Sequence, residues 1–312
     1  MTNTHQPVML REVLDGLAIR PDGCYVDATF GRGGHSAAIL ERLGDSGRLL
    51  ALDRDASAVA VAGKKFADEP RFAITHAPFA TLASVVRDAG LLGQVDGLLF
   101  DFGVSSPQLD DADRGFSFLR DGPLDMRMDA EQTLTAAAYL ADIDESALRQ
   151  DIARLGEERL AARIARAIVH ARDKAPITRT LQLAGIVEAA TPARVRARSA
   201  RHPATKTFQA IRMRINDELG QISDALDAVV NVLAIGGRVC FLTFHSLEDR
   251  PVKRFLRDQS AEDPVYRGLP DVPPHARPAM RIVGKACVAD DRELDDNPRA
   301  RSARLRVGER LQ

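Results

Sequence analysis

A glycine-rich turn and an acid one strand later have the residue types and spacing of a nucleoside cofactor site. Residues 25–29 have the apolar pattern of a short strand, and Gly31, Gly33 and His35 follow at the start of a helical pattern. Glycines let the backbone approach a ligand closely, and the first turn of the next helix offers N–H groups to a negative group. Asp53 stands eighteen residues after His35, at the end of a second strand-like segment. An acid at this position can bind the two ribose hydroxyls.

The choice of nucleoside depends on what lies around this turn. A strict dinucleotide-binding turn has Gly or Ala five residues after its first glycine, and this chain has Ser36 there. S-adenosylmethionine carries an adenosine and a carboxylate but no pyrophosphate, so it needs only the glycine turn, the ribose acid and groups for the adenine. Phe79 and Asp101, after the third and fourth predicted strands, could supply those groups. Methyl transfer is therefore favoured, while a dinucleotide-dependent enzyme and a non-catalytic binding protein stay open.

The elements that position these residues alternate between strand and helix through the first hundred residues. The strands are apolar on both faces, which is typical of a parallel sheet covered by helices. Ligands of such sheets bind beyond the carboxyl ends of the strands, where Asp53 and Asp101 stand. The predicted strands are 25–29, 48–52, 72–76 and 95–100, and the predicted helices are 36–43, 55–66 and 82–89.

The alternation stops after the fourth strand. Residues 103–130 are rich in Gly, Pro, Ser and Asp and predict a long loop, and the following residues to about 190 show helical patterns only. The α/β pattern resumes with a long helix at 205–233, a strand at 238–244, and two segments, 280–288 and 303–307, that could pair as an antiparallel edge. The predicted fold is therefore α/β, a Rossmann-like, mostly parallel sheet with an antiparallel C-terminal edge and an inserted all-helical domain. The predicted domain limits are 1–106, 107–203 and 204–312.

Bulk composition indicates an ordinary soluble protein. The chain has 312 residues, a formal net charge of −1 and 45% hydrophobic residues. Residues 1–6 are polar and no apolar run is long enough to span a bilayer, so we expect a cytoplasmic protein. The cysteines and histidines show no metal-ligand spacing, and we predict no catalytic metal.

Positive charge is concentrated in two segments of this nearly neutral chain. Residues 189–216 contain seven basic residues and no acid, and residues 299–310 contain five arginines and one acid. Such segments can bind a polyanion locally, although solvated helix faces would have the same composition. The residues that we predict to contact RNA phosphates are Arg194, Arg196, Arg198, Arg201 and Lys206.

Longer motifs give the chain a resemblance that runs over nearly its whole length. In the first half these are residues 5–9 (HQPVM), 27–36 (DATFGRGGHS), 52–55 (LDRD), 101–108 (DFGVSSPQ), 114–118 (RGFSF) and 122–129 (GPLDMRMD). In the second half they are residues 202–209 (HPATKTFQ), 244–250 (FHSLEDR) and 297–306 (NPRARSARLR). With these motifs the chain resembles the RsmH (MraW) family, bacterial methyltransferases that modify the exocyclic N4 of a cytidine in 16S ribosomal RNA. Phe102, where the family commonly has Leu, and Pro251, where an apolar residue is usual, are mild departures.

The resemblance implies a class I methyltransferase sheet whose inserted helical domain helps to engage RNA. It implies S-adenosylmethionine as cofactor and 16S rRNA, within the small ribosomal subunit, as partner. It does not distinguish a monomer from a homodimer. The residues that the motif match assigns to the cofactor site are Gly33, Gly34, His35, Asp53, Phe79, Asp101 and Gln108.

The loop after the fourth strand is the predicted contact for the target amine. Enzymes that methylate amino groups place a short motif with an acid or Asn, a Pro and an aromatic residue there. Asp101, Ser105 and Ser106 could accept a hydrogen bond or a proton from the amine, although Asp101 could equally contact the cofactor and the serines could simply form a turn or a helix cap. His245, after the fifth strand, could lie near the base in the RNA or could hold the strand–helix turn.

Overall fold

The computed structural model describes residues 7–199, 201–263, 265–266, 273 and 276–312. His5, the first residue of the N-terminal motif, lies outside the described residues. The chain divides into two compact units. The first consists of Met1–Gly103 and Leu219–Gln312, and the second of Val104–Glu218.

The described residues of the first unit contain a seven-stranded sheet with the order β3-β2-β1-β4-β5-β7-β6. Strands β1 to β5 are parallel, while β7 runs antiparallel to both β5 and β6. The mostly parallel sheet and its antiparallel C-terminal edge confirm the predicted fold class. The strands are β1 Cys24–Asp27, β2 Arg48–Asp53, β3 Phe72–His76, β4 Val95–Asp101, β5 Leu233–Thr243, β6 Met280–Val288 and β7 Arg304–Arg310.

Among the described residues, seven α-helices belong wholly or mainly to the first unit and seven lie in the second. In chain order they are α1 Leu10–Leu17, α2 Gly34–Leu40, α3 Ala56–Lys65, α4 Leu82–Asp88, α5 Ser106–Asp110, α6 Ala136–Asp142, α7 Glu145–Leu155, α8 Ala161–Arg172, α9 Thr180–Ala190, α10 Ala193–Arg196, α11 Thr205–Ile215, α12 Glu218–Val232, α13 Ser246–Gln259 and α14 Asp291–Asp296. No helix in the described part of the chain is long and apolar enough to cross a membrane.

Strand β4 shows why the residues of these strands are apolar at successive positions instead of alternating between apolar and polar. Leu98 and Phe100 point into a core shared with α4, α12 and α13, while Leu99 points into the core on the other face, shared with α1 and α2. Both faces are covered, so successive residues are all buried. The ring of Phe100 stacks on that of Phe241 in β5 with 5.3 Å between centroids, which joins the two central strands.

The second unit is helical, with its own apolar core. Its limits, Val104 and Glu218, differ from the predicted limits of 107 and 203. The reason is α11, whose residues Phe208, Ile211 and Ile215 are buried in this core. The recognition role predicted for this insertion stays a prediction.

The single helix predicted over 205–233 is wrong, because α11 ends at Ile215 and α12 begins at Glu218. The side chain of Asn216 is buried, accepts a hydrogen bond from Met128 N at 2.8 Å and donates one to Met126 O at 2.8 Å. Asp217 then adopts a left-handed backbone with φ 45°. These polar contacts between distant segments stop the helix.

Strand β5 also begins five residues before the predicted start at 238. Gly236 in this strand has φ 80°, and the pairing with β4 is irregular between Val95 and Gly97.

Candidate active site

Three carboxylates end three adjacent strands of the first unit. Asp27 is the last residue of β1, Asp53 of β2 and Asp101 of β4. In the sheet β1 lies between β2 and β4, and all three strands run in the same direction. The three acids therefore lie at one edge, the carboxyl rim, where ligands of open α/β sheets bind.

Asp53 links the end of β2 to the glycine turn. Its Oδ2 accepts a hydrogen bond from Gly31 N at 2.7 Å and its Oδ1 accepts one from Asp55 N at 2.8 Å. Burial raises the pKa of Asp53, and the two N–H donors oppose this by stabilising the carboxylate. Each carboxylate oxygen retains a second lone pair, so the group can still accept from vicinal ribose hydroxyls.

The turn itself requires glycine at two positions. Gly33 has φ +67°, and an added Cβ would lie 2.5 Å from Phe30 Cζ. A Cβ on Gly34 would lie 2.4 Å from Pro7 Cγ. The carbonyl of Gly33 also accepts a hydrogen bond from Lys65 Nζ at 2.9 Å, which holds the turn against the end of α3.

Asp27 lies at the carboxyl rim, and the motif match does not assign it to the cofactor site. Its side chain is buried, Oδ2 accepts from Ser36 Oγ at 2.6 Å and Oδ1 accepts from Thr29 N at 3.1 Å. Thr29 Oγ1 in turn accepts from Asp101 N at 2.7 Å, so one network joins β1, the glycine turn and β4. Burial raises the pKa of Asp27 to about 6. The predicted strand at 25–29 runs past Asp27, so the sequence pattern does not place this acid at a strand end; in the structure β1 ends at Asp27.

His35 lies against Asp101 as a neutral ring. Its Nε2–H donates to Val8 O at 3.1 Å, and Nδ1 lies 3.7 Å from Asp101 Oδ2. Burial lowers the pKa of His35 to about 4. Because Nε2 carries the proton, Nδ1 is an acceptor facing a carboxyl oxygen.

Asp101 has a hydrogen-bonding capacity that the protein does not use. Oδ1 is buried, and no group among the described residues donates to it. Burial, and then the nearby charges of Asp27 and Glu248, raise the pKa of Asp101 well above its usual value. A buried acceptor without a donor is costly unless a ligand satisfies it. The three carboxylates with this open acceptor fit a cationic, hydroxyl-bearing group such as S-adenosylmethionine.

Phe79 lies in a single 3₁₀ turn, Phe79–Thr81, directly after β3. Its ring meets that of Phe100 edge-on at 6.1 Å between centroids and that of Phe102 at 5.5 Å. Phe102 is buried and also stacks on Phe100 at 5.4 Å, so this departure from the family pattern extends the aromatic cluster that supports Phe79.

The β5–α13 turn contains His245 and Glu248. Glu248 is buried, and its Oε2 accepts from Phe244 N at 2.7 Å and from His245 N at 3.3 Å. His245 Nε2 lies 3.0 Å from Glu248 Oε1. This geometry favours the alternative in which His245 holds the turn, and contact with RNA stays a prediction.

Pro251, the second departure from the family pattern, lies inside α13, and the helix continues past it to Gln259.

The remaining predicted residues lie in the second unit. Ser105 is the N-cap of α5, Ser106 is its first residue, and the buried Gln108 accepts from Ser105 N through Oε1 at 3.0 Å. This capping box favours the cap alternative for Ser105. The assigned roles of these three residues in catalysis and cofactor binding stay predictions.

The predicted RNA-contacting residues are exposed on the second unit. Arg194 and Arg196 lie on α10, and Arg198, Arg201 and Lys206 follow. Arg196 pairs with Glu188 at 2.9 Å, and Lys206 Nζ donates to Glu157 O at 2.8 Å. Exposure makes phosphate contact feasible, and the role of the segment stays a prediction.

Comparison with known proteins supplies the family. A model described as the MraW methylase family matches residues 2–311. The chain belongs to the MraW methylase family. It is 51% identical over 307 residues to ribosomal RNA small subunit methyltransferase H of Coxiella burnetii (strain Dugway 5J108-111), covering 98% of this chain and 99% of that protein. It is 53% identical over 309 residues to the enzyme of the same name from Thioalkalivibrio sulfidiphilus (strain HL-EbGR7), covering 98% and 97%.

Among solved structures, the chain is similar to an rRNA methylase from Streptococcus thermophilus with a TM-score of 0.42 and 11% identity, covering 97% of this chain and 92% of that one. Membership in the methylase family makes the protein an S-adenosylmethionine-dependent methyltransferase. The predicted cofactor is therefore confirmed, and a dinucleotide-dependent enzyme is no longer an alternative. The residues predicted to hold this cofactor stay a prediction.

Proposed function

We propose that this protein methylates the exocyclic N4 of a cytidine in the decoding region of 16S rRNA. The observation that carries the proposal is the buried Oδ1 of Asp101 at the carboxyl rim, to which no described residue donates a hydrogen bond. Asp101 ends β4, which pairs with β1, the strand that Asp27 ends. Support comes from the two relatives that share half of this sequence over nearly their full length and are named small-subunit rRNA methyltransferases. An enzyme with this substrate would work in the cytoplasm.

The rim residues have distinct roles in holding the methyl donor. Asp53 would accept from the ribose hydroxyls, Phe79 would pack against the adenine, and the turn at Gly33 and Gly34 would let the backbone approach the methionine part. Asp27 holds this turn through Ser36 and Thr29. When bound, S-adenosylmethionine supplies an electrophilic methyl group on a sulfonium.

Cytosine N4 is a weak nucleophile because its lone pair is delocalised into the ring. The enzyme must hold it in line at roughly 3–3.5 Å, which alone accounts for a large part of the acceleration. Transfer of that methyl group to N4 would form the N4–C bond as the methyl–sulfur bond breaks, and it would leave the amine with one surplus proton. Asp101 Oδ1 would accept that proton, since burial raises the pKa of this carboxyl and makes its carboxylate a stronger base than an ordinary one. The base must be unstacked or single-stranded to enter the site.

The test is a methylation assay in which the modified atom is mapped. The protein is incubated with methyl-labelled S-adenosylmethionine and, in parallel, small ribosomal subunits lacking the modification, naked 16S rRNA and single-stranded DNA. We expect label on N4 of one cytidine in ribosomal RNA, with the assembled subunit as the better substrate. Label only on DNA, or on another atom of the RNA, would contradict the proposal.

The variant Asp101→Asn tests the catalytic assignment in the same assay. The amide keeps the size of the side chain but cannot accept a proton, so we expect kcat to fall by about 10²- to 10⁴-fold. Asp88→Asn is the matched control, because it makes the same change at an exposed carboxylate of α4 to which no role is assigned. An Asp101→Asn rate equal to that of the unchanged protein would refute the role of Asp101.

A further inference from the structure

We infer that a basic face formed by α13 and the start of β7 contacts RNA phosphates beside the carboxyl rim. This α13–β7 basic face consists of Lys253, Arg254, Arg304 and Arg306. It extends RNA contact to the sheet unit, whereas the predicted segment at 194–206 belongs to the helical unit. The inference rests on the proposed function, because it requires a nucleic acid substrate.

The first observation is a stripe of cations along α13. Arg250, Lys253, Arg254 and Arg257 are exposed and recur at spacings of three and four residues, which places them on one side of the helix. Val252 and Leu256 are buried on the opposite side. Arg257 is neutralised by Asp258 at 2.7 Å. The stripe is therefore a charged surface on a helix that is firmly packed on the sheet.

The second observation is an excess of cations around one carboxylate. Asp249 accepts from Arg306 Nε at 2.7 Å and from Nη2 at 3.0 Å, and Arg304 Nη1 lies 3.8 Å away. Burial acts to raise the pKa of Asp249, but Arg306, Arg304 and Lys253 outweigh it and the pKa lies below its usual value. The carboxylate of Asp249 thus balances only one of these three cations, and this group of four side chains has a net charge of +2. Arg304 remains about half exposed, with 48% of its side chain accessible.

The third observation is the position of this face at the rim. Arg304 begins β7 opposite Thr243, the last residue of β5, and α13 begins three residues after Thr243. Asp101 pairs with Leu242 of β5, which in turn pairs with Leu305 of β7. Strand β4, which Asp101 ends, is therefore two strand spacings, roughly 10 Å, from β7, which carries Arg304 and Arg306. Phosphates that flank a nucleotide at Asp101 would lie within reach of long basic side chains.

The arginines of β7, which belong to the second basic segment at residues 299–310, lie at different ends of the strand. Arg304 and Arg306 lie at the rim, whereas Arg310 lies at the other end of β7 and donates to Leu233 O. Arg306 also has a structural bond to Asp249 and is mostly buried, so Lys253, Arg254 and Arg304 are the side chains through which a phosphate would be held. Arginine and lysine side chains supply such contacts without reading sequence.

The test compares two triple variants of the full-length protein. Lys253→Gln/Arg254→Gln/Arg304→Gln removes the three accessible charges. Arg42→Gln/Arg48→Gln/Arg87→Gln removes three exposed charges near the amino ends of β2 and β4, at the opposite edge of the sheet. A fluorescein-labelled single-stranded 20-nucleotide RNA containing cytidine, and small ribosomal subunits lacking the modification, are titrated at several salt concentrations.

We expect the first variant to bind the RNA at least tenfold more weakly near 0.1 M salt. Its slope of log affinity against log salt should fall by about 0.7 for each phosphate ion pair that the substitutions remove. Its KM for RNA should rise while its affinity for S-adenosylmethionine stays that of the unchanged protein. The control variant should shift RNA affinity less than twofold. The double variant Lys253→Gln/Arg254→Gln leaves Arg304 and its ion pair with Asp249 intact. Its RNA affinity should fall less than that of the triple variant. A decrease in this variant cannot be attributed to misfolding caused by the loss of that ion pair.

The inference is overturned if both triple variants bind RNA equally. It is also overturned if only binding to the subunit weakens while binding to naked RNA does not, since the face would then recognise an acidic protein surface. Failure of the proposed function looks different. In that case the unchanged protein transfers no methyl to RNA, whatever the charge variants do.

Discussion

Two buried groups at the rim, Asp27 and His35, respond to pH in opposite directions. Burial favours the neutral form of each, so it raises the pKa of Asp27 to about 6 and lowers the pKa of His35 to about 4. Between pH 4 and 6 the folded protein holds more protons at Asp27 than the unfolded chain, and stability falls as pH rises. At His35 the folded protein holds fewer protons below pH 6.5, and stability rises with pH.

We therefore predict that Asp27→Asn changes the pH dependence of the free energy of unfolding. The amide keeps an oxygen for Thr29 N and a donor for Ser36 Oγ but cannot ionise. The fall of about 2 kcal/mol that Asp27 contributes between pH 4 and 6 should disappear, and the rise due to His35 should remain. Chemical unfolding at pH 4.5, 5.5, 6.5 and 7.5 measures this, with the exposed Asp22→Asn as control. Parallel curves for Asp27→Asn and the unchanged protein would show that Asp27 ionises normally.

Residue chemistry of the rim was largely predictable from the sequence. Asp53 and Asp101 end strands whose apolar patterns are clear, and strand ends in a parallel sheet meet at one edge. Asp27 lacks this signal, because the predicted strand at 25–29 runs past it, and only the structure places it at the end of β1. The neutral state of His35 was not predictable, since it depends on Val8 O and on burial by distant residues.

At the scale of elements, the glycine turn and α2 form a unit that tolerates little change. The positive φ of Gly33 and the ring of Phe30 both exclude a side chain, and Lys65 ties the turn to α3. Strand and helix order in the sheet could be predicted from local patterns. The break between α11 and α12 could not, because it depends on Asn216 bonding to Met126 and Met128, some ninety residues earlier.

We predict that Gly33→Ala weakens both the fold and cofactor binding. A left-handed backbone costs a non-glycine residue about 1–2 kcal/mol, and the contact with Phe30 adds to this. The free energy of unfolding should fall by at least that amount. Gly63→Ala is the matched control, because Gly63 lies in α3 with no atom within 4 Å of an added Cβ, and alanine should stabilise it by up to about 1 kcal/mol. Thermal unfolding measures the midpoint temperature of each variant. Equal midpoints for Gly33→Ala and Gly63→Ala would mean that the turn relaxes to accept a side chain.

At the scale of the whole molecule, the chain combines a sheet unit with a helical unit inserted after the fourth strand. The absence of a strand pattern after residue 103 predicted the insertion. Its true end at Glu218 was not predictable, since it depends on which core accepts the apolar face of α11. The helical unit carries the exposed arginines at 194–201, and their contact with RNA stays a prediction.

We expect Arg194→Gln/Arg196→Gln/Arg198→Gln to weaken RNA binding without altering cofactor binding. Each phosphate ion pair removed should lower the salt slope by about 0.7 on single-stranded RNA, and Arg196 should contribute least because Glu188 already pairs with it. Anisotropy titrations across salt concentrations measure both quantities. Unchanged affinity at low salt would make the segment a solvated helix face.

The central role at the carboxyl rim is that of Asp53, which would hold the ribose of the cofactor. Calorimetry can test this with S-adenosylhomocysteine and its 2′-deoxy analogue, each titrated into the unchanged protein and into Asp53→Ala. We predict that the unchanged protein binds the ribose form at least tenfold more tightly than the deoxy form, and that Asp53→Ala binds both weakly and nearly equally. Equal preference for the ribose form in both proteins would contradict the account, because the hydroxyls would then be held by another group.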